Sequence, residues 1–437
     1  MSKQMYKQNL NVILSGIAAI IIVCSFAFLL SNDLITKYPD SQAHLMITRR
    51  VCDSTTPGLA QLGAVWLPLT HVLGLPLVCA DVVTSFLGLG MMTVTSAIIT
   101  LFYLSKRKAR NMLVSIVGAV FIFVSFFALL SVLQTKTLFQ SGFSLILPSM
   151  ISYVMVGYFT FTLVNEITND KWAGLLGWFV VMLNPNMIYM GSTPMTEVPL
   201  YAGIMASMYS FYRLSKDPSD LKWIFWNGVA NFLMSLIRYE AWIIIVAQAG
   251  VYGLILLFQF VRFNRSDNSY RQQFNALVGH VTIWSMLSFA GIVGWLAWNL
   301  TIFGTPFEFQ TGTYAKPSNW VLGGEAAIGN IHNAFLTYIY GIQDTVGFVA
   351  ILLVIALVLY PVAMRFKREM WAVLIPLVLF PFFVYALYAG QRPMQMPQVE
   401  NSLYNARFAL VIVLIVAPVV AISFRHWVLK MGVVAVI

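Results

Sequence analysis

Residues Trp223 to Val261 read WIFWNGVANFLMSLIRYEAWIIIVAQAGVYGLILLFQFV, 39 residues broken only by the charges Arg238 and Glu240. A helix crosses the hydrocarbon core of a bilayer in about 20 residues. The stretch is therefore too long for one crossing and reads as two, joined by a turn at Arg238-Tyr239-Glu240. The first half, Trp223 to Ile237, has only 15 residues, which sets Arg238 in a recess rather than at the membrane surface. Either the two charges pair across a turn, or the recess is a cavity in which arginine holds an anion.

The same pattern recurs outward in both directions. Of 437 residues 59% are apolar and 10% charged, against about 25% charged in soluble domains, so a water-soluble globule is excluded. Spans are expected near 12–30, 82–104, 112–133, 144–164, 173–190, 198–214, 223–238, 241–261, 277–300, 346–364, 371–389 and 408–424. The fold class is an all-α polytopic membrane protein of about 12 transmembrane helices, a single membrane domain over residues 1–437. Leu62 to Cys79, interrupted by Pro68, Gly74 and Pro76, reads as a re-entrant or interfacial segment. The first apolar run exceeds the core of a signal peptide and lacks a small-residue cleavage site, so it reads as a retained span. Met431 to Ile437 are apolar and leave a thirteenth span open.

The net charge of +10 requires a topological explanation, because no soluble stretch interleaves basic and stacking aromatic residues as a nucleic-acid binder would. With the N-terminus in the cytoplasm, the clusters at 106–110, 213–222, 262–271 and 365–368 all fall inside, as Lys and Arg in short loops do. Acidic residues collect outside, which that rule does not demand. The localisation expected is a multi-pass cell-membrane protein with its chemistry on the outer or periplasmic face. Cys24, Cys52 and Cys79 show no metal-ligand spacing; a Cys52–Cys79 disulfide is open but not required by the sequence.

The densest polar region is the first outer loop, residues 31–61. Around Ser41 to Val51, apolar Leu45, Met46 and Val51 among polar neighbours predict an amphipathic helix lying at the interface. Helical spacing lets Asp40, His44 and Arg50 share a face, with Arg49 opposite. Asp40 after Pro39 stands where a carboxylate N-cap belongs, and Arg49 and Arg50 can snorkel to lipid phosphates. The functional reading makes Asp40 a general base at the membrane surface, with arginine holding an anionic phosphate.

The order Pro39-Asp40, His44, Arg49-Arg50, Asp53-Ser-Thr-Thr-Pro-Gly58 and Trp66-Leu-Pro-Leu69 resembles the first outer loop of GT-C-type membrane glycosyltransferases. That superfamily includes protein O-mannosyltransferases and bacterial lipid A aminoarabinose transferases. Thr193-Pro-Met-Thr-Glu-Val-Pro199, Leu236-Ile-Arg-Tyr-Glu-Ala-Trp242 and Trp298-Asn-Leu-Thr-Ile-Phe-Gly-Thr-Pro-Phe307 extend the resemblance. It implies transfer of a sugar from a polyprenyl-phosphate carrier to a hydroxyl of a lipid, glycan or protein acceptor on the non-cytoplasmic face, with Asp40 as catalytic base and with inversion. A departing phosphate suits guanidinium, and the outer arginines are Arg49, Arg50, Arg238, Arg392 and Arg407. Donor-phosphate binding is expected of Arg238, Arg50 and Arg407.

Four substrate-binding candidates complete the set. Glu240 pairs with Arg238 or faces substrate. Glu197 caps a helix or contacts substrate. His44 shares the face of Asp40. Tyr314 lies in the long outer loop 301–345, a lid or acceptor platform whose aromatic residues either meet sugar rings or anchor at the interface. For Arg407, snorkelling at the mouth of the last span is the alternative. No cofactor and no metal site is expected, since His-Glu-x-x-His and paired cysteines are missing; a divalent metal stays open because Asp40 and His44 offer two ligands and His71 a third. Membrane lipids are the other expected partners. Two rival functions share the span pattern: a transporter or lipid flippase, disfavoured by the lack of a visible repeat and by charges at the span ends, and a polysaccharide polymerase.

Overall fold

The computed structural model describes residues 3–82, 142–261, 270–313, 315, 325–347, 349–399 and 404–425. The expected spans at 82–104 and 112–133, the basic clusters at 106–110 and 262–265, and Tyr314 lie outside the described residues. Among those described the molecule is all-α. Helix α1 (Lys3–Ser31) leads to the short α2 (Pro39–Arg50), a 3-10 turn at Leu59–Leu62 and α3 (Leu69–Val82). Then follow α4 (Phe143–Thr168), α5 (Lys171–Met182), α6 (Pro185–Gly191), α7 (Glu197–Lys216), α8 (Leu221–Ser235) and α9 (Glu240–Val261). The rest comprises α10 (Tyr270–Phe303), α11 (Glu308–Thr311), α12 (Ile331–Val346), α13 (Val349–Ala363), α14 (Trp371–Leu374), α15 (Leu379–Tyr388) and α16 (Val413–Ser423).

Five helices among the described residues are long and apolar enough to cross a bilayer, or seven if each of two bent pairs counts as one span; with two of the twelve expected spans outside the described residues, the count of twelve is not confirmed. Local breaks shorten several of the described helices. Leu183 closes α5 and Asn184 caps α6 through its side chain, with Pro185 at the first helical position, so the two helices meet at 65°. Gly347, at φ 65°, ends α12 before α13 begins. Helix α8 is short because Asp220 caps its start and the chain leaves helical geometry before Arg238. The long outer loop is correspondingly less irregular than its sequence suggests, since α11 and α12 lie within it.

The core is the set of helices that carry the candidate site. Helix α7 packs between α4 and α8, and α8 lies along α10. At their centre a buried polar knot joins four helices: Asn231 Nδ2 donates to Gln248 Oε1 (2.9 Å) and Ser288 Oγ (3.1 Å), Ser207 Oγ donates to Asn231 Oδ1 (2.7 Å), and Trp284 Nε1 donates to Asn227 Oδ1 (2.7 Å). In a medium without water each of these groups needs a protein partner, and the knot fixes the register of α7, α8, α9 and α10.

The helix expected over Ser41–Val51 forms over Pro39–Arg50. Helix α2 turns back onto α3, which brings Cys52 and Cys79 together in a disulfide with Cα atoms 5.6 Å apart. The pairing left open by the sequence follows from the packing of α2 on α3.

Candidate active site

Tyr38 is the N-cap of α2 and makes no side-chain capping bond, while Pro39 supplies the first helical residue. Asp40 therefore sits inside the first turn, and the capping role open to it in the sequence is not the one observed. Its carboxylate instead meets Arg407, with Oδ2 and Nη2 2.5 Å apart. Arg407 comes from the far end of the chain, where a 3-10 turn, Arg407–Ile412, begins the last apolar segment.

Arg238 occupies the break between α8 and α9. Its Nη1 donates to Glu197 Oε1 and Thr196 Oγ1, both at 3.0 Å, and its Nη2 to Glu240 Oε1 at 2.8 Å. Arg392 stands 3.8 Å from the other oxygen of Glu240, and Arg407 Nε 3.8 Å from Glu197. The groups thus form one alternating chain, Asp40, Arg407, Glu197, Arg238, Glu240, Arg392, formally neutral. All three guanidiniums gather round the ring of Phe408, at 4.6 Å for Arg407, 5.5 Å for Arg238 and 5.9 Å for Arg392, close enough for cation–π attraction. Arg238 thus pairs with Glu240 across the turn and also lines a cavity.

These charges open on a cavity of about 640 Å³. Asp40, His44, Arg238, Glu240, Arg392 and Arg407 form its polar wall, and Trp66, Tyr239, Trp242, Phe307 and Phe309 its aromatic wall. Phe309 stacks on Tyr239 (4.8 Å between centroids) and meets Trp242 edge-on (5.5 Å). Tyr239 donates to the Val65 carbonyl and accepts from Trp295 Nε1, so the aromatic wall is tied to the loop before α3 and to α10. Glu197 lies just behind the wall, lining a small adjoining pocket with Tyr201 and Phe383.

The polar wall carries unspent hydrogen-bonding capacity. Glu197 Oε2, Glu240 Oε2, Arg392 Nε, and Nε and Nη1 of Arg407 are buried without a hydrogen-bond partner. Burial opposes ionisation of Asp40, but the charge and hydrogen bond of Arg407, helped by Arg238, outweigh it and lower its pKa below the usual carboxylate value. Burial pushes His44 down to about 3, with Arg238 and Arg407 adding to the effect and Asp40 opposing it. His44 is thus neutral; its Nδ1 lies 2.9 Å from His71 Nε2 and its ring packs on Trp66 at 4.6 Å. Tyr38, whose hydroxyl donates to Asn405 Oδ1 at 2.5 Å, is pushed up to about 12 by burial, Arg407 partly opposing.

Of the residues singled out in the sequence, Asp40, His44, Arg238, Glu240 and Arg407 converge on one cavity, and Glu197 joins through its ion pairs. Arg50 is exposed at the end of α2 and does not line the cavity; ten residues beyond Asp40, it is nearly three turns of helix away. Arg49 pairs with Asp53 at 2.7 Å. Arg392 enters the site although its sequence neighbourhood, Gly390-Gln-Arg-Pro393, gave no sign beyond its outward position. The aromatic wall was signalled only by Tyr239 and Trp242 beside Arg238. Among the described residues no group of three or more His, Cys, Asp or Glu side chains is arranged to hold a metal ion.

Comparison with known proteins supports the same class. Residues 126–286 match the family described as dolichyl-phosphate-mannose-protein mannosyltransferase. With the helical membrane architecture, this match supports a membrane glycosyltransferase of the GT-C type. The matched region contains Glu197, Arg238 and Glu240, whereas Asp40, Arg392 and Arg407 lie outside it. No curated protein and no solved structure matches the chain.

Proposed function

We propose that the protein transfers a sugar from a polyprenyl-phosphate donor to an acceptor hydroxyl at the non-cytoplasmic face of the membrane, with Asp40 as general base. The observation that carries this reading is the convergence of two carboxylates, Asp40 and Glu240, and three guanidiniums, Arg238, Arg392 and Arg407, on a single cavity with an aromatic wall. The phosphate of the donor sits among the guanidiniums, where the unpartnered N–H groups of Arg392 and Arg407 suit its oxygens. The sugar lies against Trp66, Tyr239 and Phe309, whose faces suit a pyranose ring.

In the transfer step the acceptor oxygen bonds to the anomeric carbon as the carbon–oxygen bond to phosphate breaks. The acceptor proton passes to Asp40, and the electron pair leaves with the polyprenyl phosphate. Attack opposite the leaving group inverts the anomeric centre. Arg407 links the two halves of the step: paired with Asp40 it weakens the base, and drawn toward the donor phosphate it releases Asp40 to accept a proton. The reaction so written needs positive charge at the leaving phosphate, which the arginines supply, and calls on no metal.

Two features support the sidedness. The retention of Lys and Arg in cytoplasmic loops favours an outward position for this end of the bundle, and the Cys52–Cys79 disulfide beside the site suits an oxidising compartment. Acceptors of all three classes, lipid, glycan and protein, present the required hydroxyl. The direct test is transfer in proteoliposomes from a panel of polyprenyl-phosphate hexoses and pentoses. Wild type is expected to release polyprenyl phosphate with one donor of the panel and Asp40→Asn to release none above background; wild-type turnover by Asp40→Asn overturns the assignment.

A further inference from the structure

A second polar cavity, of about 240 Å³, lies at the opposite end of the bundle. Helix α7 separates the two: Glu197 is its first residue and Lys216 its last, a rise of about 30 Å at 1.5 Å per residue. Lys216, Arg365, Lys367 and Arg425 line this cavity against two carboxylates, Glu166 and Glu369. Glu166 is already engaged by Arg213 at 3.2 Å, a residue outside the lining, so the concavity is net positive.

The retention of basic residues on the cytoplasmic side accounts for charge at this end, but not for a cavity built around it. The backbone supplies the independent sign. After α13 the chain closes with a bond from the Phe366 N–H to the Pro361 carbonyl (2.9 Å), and Arg365 (φ 52°) and Phe366 (φ 51°) are both left-handed. Glycine is the usual residue at such a helix end, because a side chain is strained there. Here the sequence keeps an arginine in the strained position, on the cavity wall. The turn is pinned in place by Arg368, which donates to the Lys216 carbonyl at 3.0 Å. Phe366, next to the cavity-lining Arg365, is 71% exposed and Trp371 on the following turn 43%, a position at the end of the spans where aromatic side chains meet lipid.

We infer that this cavity is a binding site for the phosphate headgroup of an anionic phospholipid, with Lys216, Arg365 and Lys367 on the phosphate and Phe366 against the acyl region. Basic pockets between transmembrane helices recognise lipid headgroups by this chemistry. The site is separate from sugar transfer and stands without it.

The test uses the full chain in nanodiscs of phosphatidylcholine alone or with phosphatidylglycerol, read by native mass spectrometry and thermal unfolding. Wild type is expected to retain phosphatidylglycerol and to unfold at higher temperature in its presence. Lys216→Gln with Lys367→Gln should weaken that retention about thirtyfold, two lysines each contributing near the membrane surface. Lys171→Gln with Lys222→Gln, which remove charge outside the cavity lining, should leave it unchanged. Arg365→Gly provides a second measurement if the double variant fails to fold: relief of the left-handed arginine should raise stability in phosphatidylcholine while phosphatidylglycerol retention falls. Equal retention by wild type and the cavity variants overturns the site. Millimolar inorganic phosphate giving the same stabilisation in phosphatidylcholine overturns the lipid as its source and assigns the cavity to a soluble anion.

Discussion

The interior holds two buried polar assemblies of opposite character. The knot of Ser207, Asn227, Asn231, Gln248, Ser288 and Trp284 is neutral, and none of its side-chain atoms is left without a partner. The chain of Asp40, Arg407, Glu197, Arg238, Glu240 and Arg392 is fully charged, leaves five polar atoms unsatisfied and lines a cavity. Both join distant helices, so burial and connectivity do not separate structure from function here. What separates them is unspent capacity: a satisfied network has nothing to offer a ligand, whereas guanidiniums with free N–H groups on a cavity wall do.

Substitution should part the two assemblies cleanly. Arg407→Gln should reduce transfer by about 10²–10³-fold, the range for losing a donor that stabilises developing charge, with donor affinity falling as well. A rate within threefold of wild type would place Arg407 on the structural side of the comparison. The disulfide holds α2, and so Asp40, against α3. Replacing Cys52 and Cys79 with Ser should cost about 3 kcal/mol by releasing a loop of 27 residues in sequence separation; thermal unfolding in detergent measures it, and an unchanged melting temperature would show that packing alone sets α2.

Asn231→Ala tests the opposite pole. It should lower stability by about 1–2 kcal/mol, as interhelical hydrogen bonds in membranes do, yet leave kcat within twofold. A large loss of kcat with intact folding would mean that the knot takes part in catalysis. At neutral pH the smallest effect concerns His44, and it grows as the pH falls. Its pKa is depressed to about 3 in the folded chain, so the unfolded chain binds the extra proton between pH 6.5 and 3. Stability is full above pH 6.5 and falls as pH drops through that window, by at most about 1.4 kcal/mol per pH unit. His44→Gln should flatten the slope of unfolding free energy against pH, and an unaltered slope would assign it to other groups.

The sequence revealed these regions unequally. Arg238 and Glu240 were legible because charge inside a long apolar run is costly and conspicuous. Asp40 and His44 were legible through helical spacing on a short amphipathic segment. Arg407 and Arg392 were visible only as outer arginines, since their partners Asp40 and Glu240 lie far away in the chain and no local rule couples them. Phe307 and Phe309 were hidden in a stretch read as a long loop. Helices α7 and α8 were legible as apolar runs at 198–214 and 223–238, but the polar knot that joins them to α9 and α10 was not, because its partners lie far apart in the chain.

The central claim is that the arginines of the charged chain are held for a phosphate, with Asp40 competing for Arg407 until donor arrives. Binding of a short-chain polyprenyl phosphate, measured by calorimetry on wild type and Asp40→Asn in the same detergent, tests it most directly. Removing the competing carboxylate should tighten phosphate binding by about tenfold, one charge-assisted hydrogen bond, while transfer is lost. Weaker binding by Asp40→Asn, or phosphate binding that Arg407→Gln leaves untouched, would contradict the account.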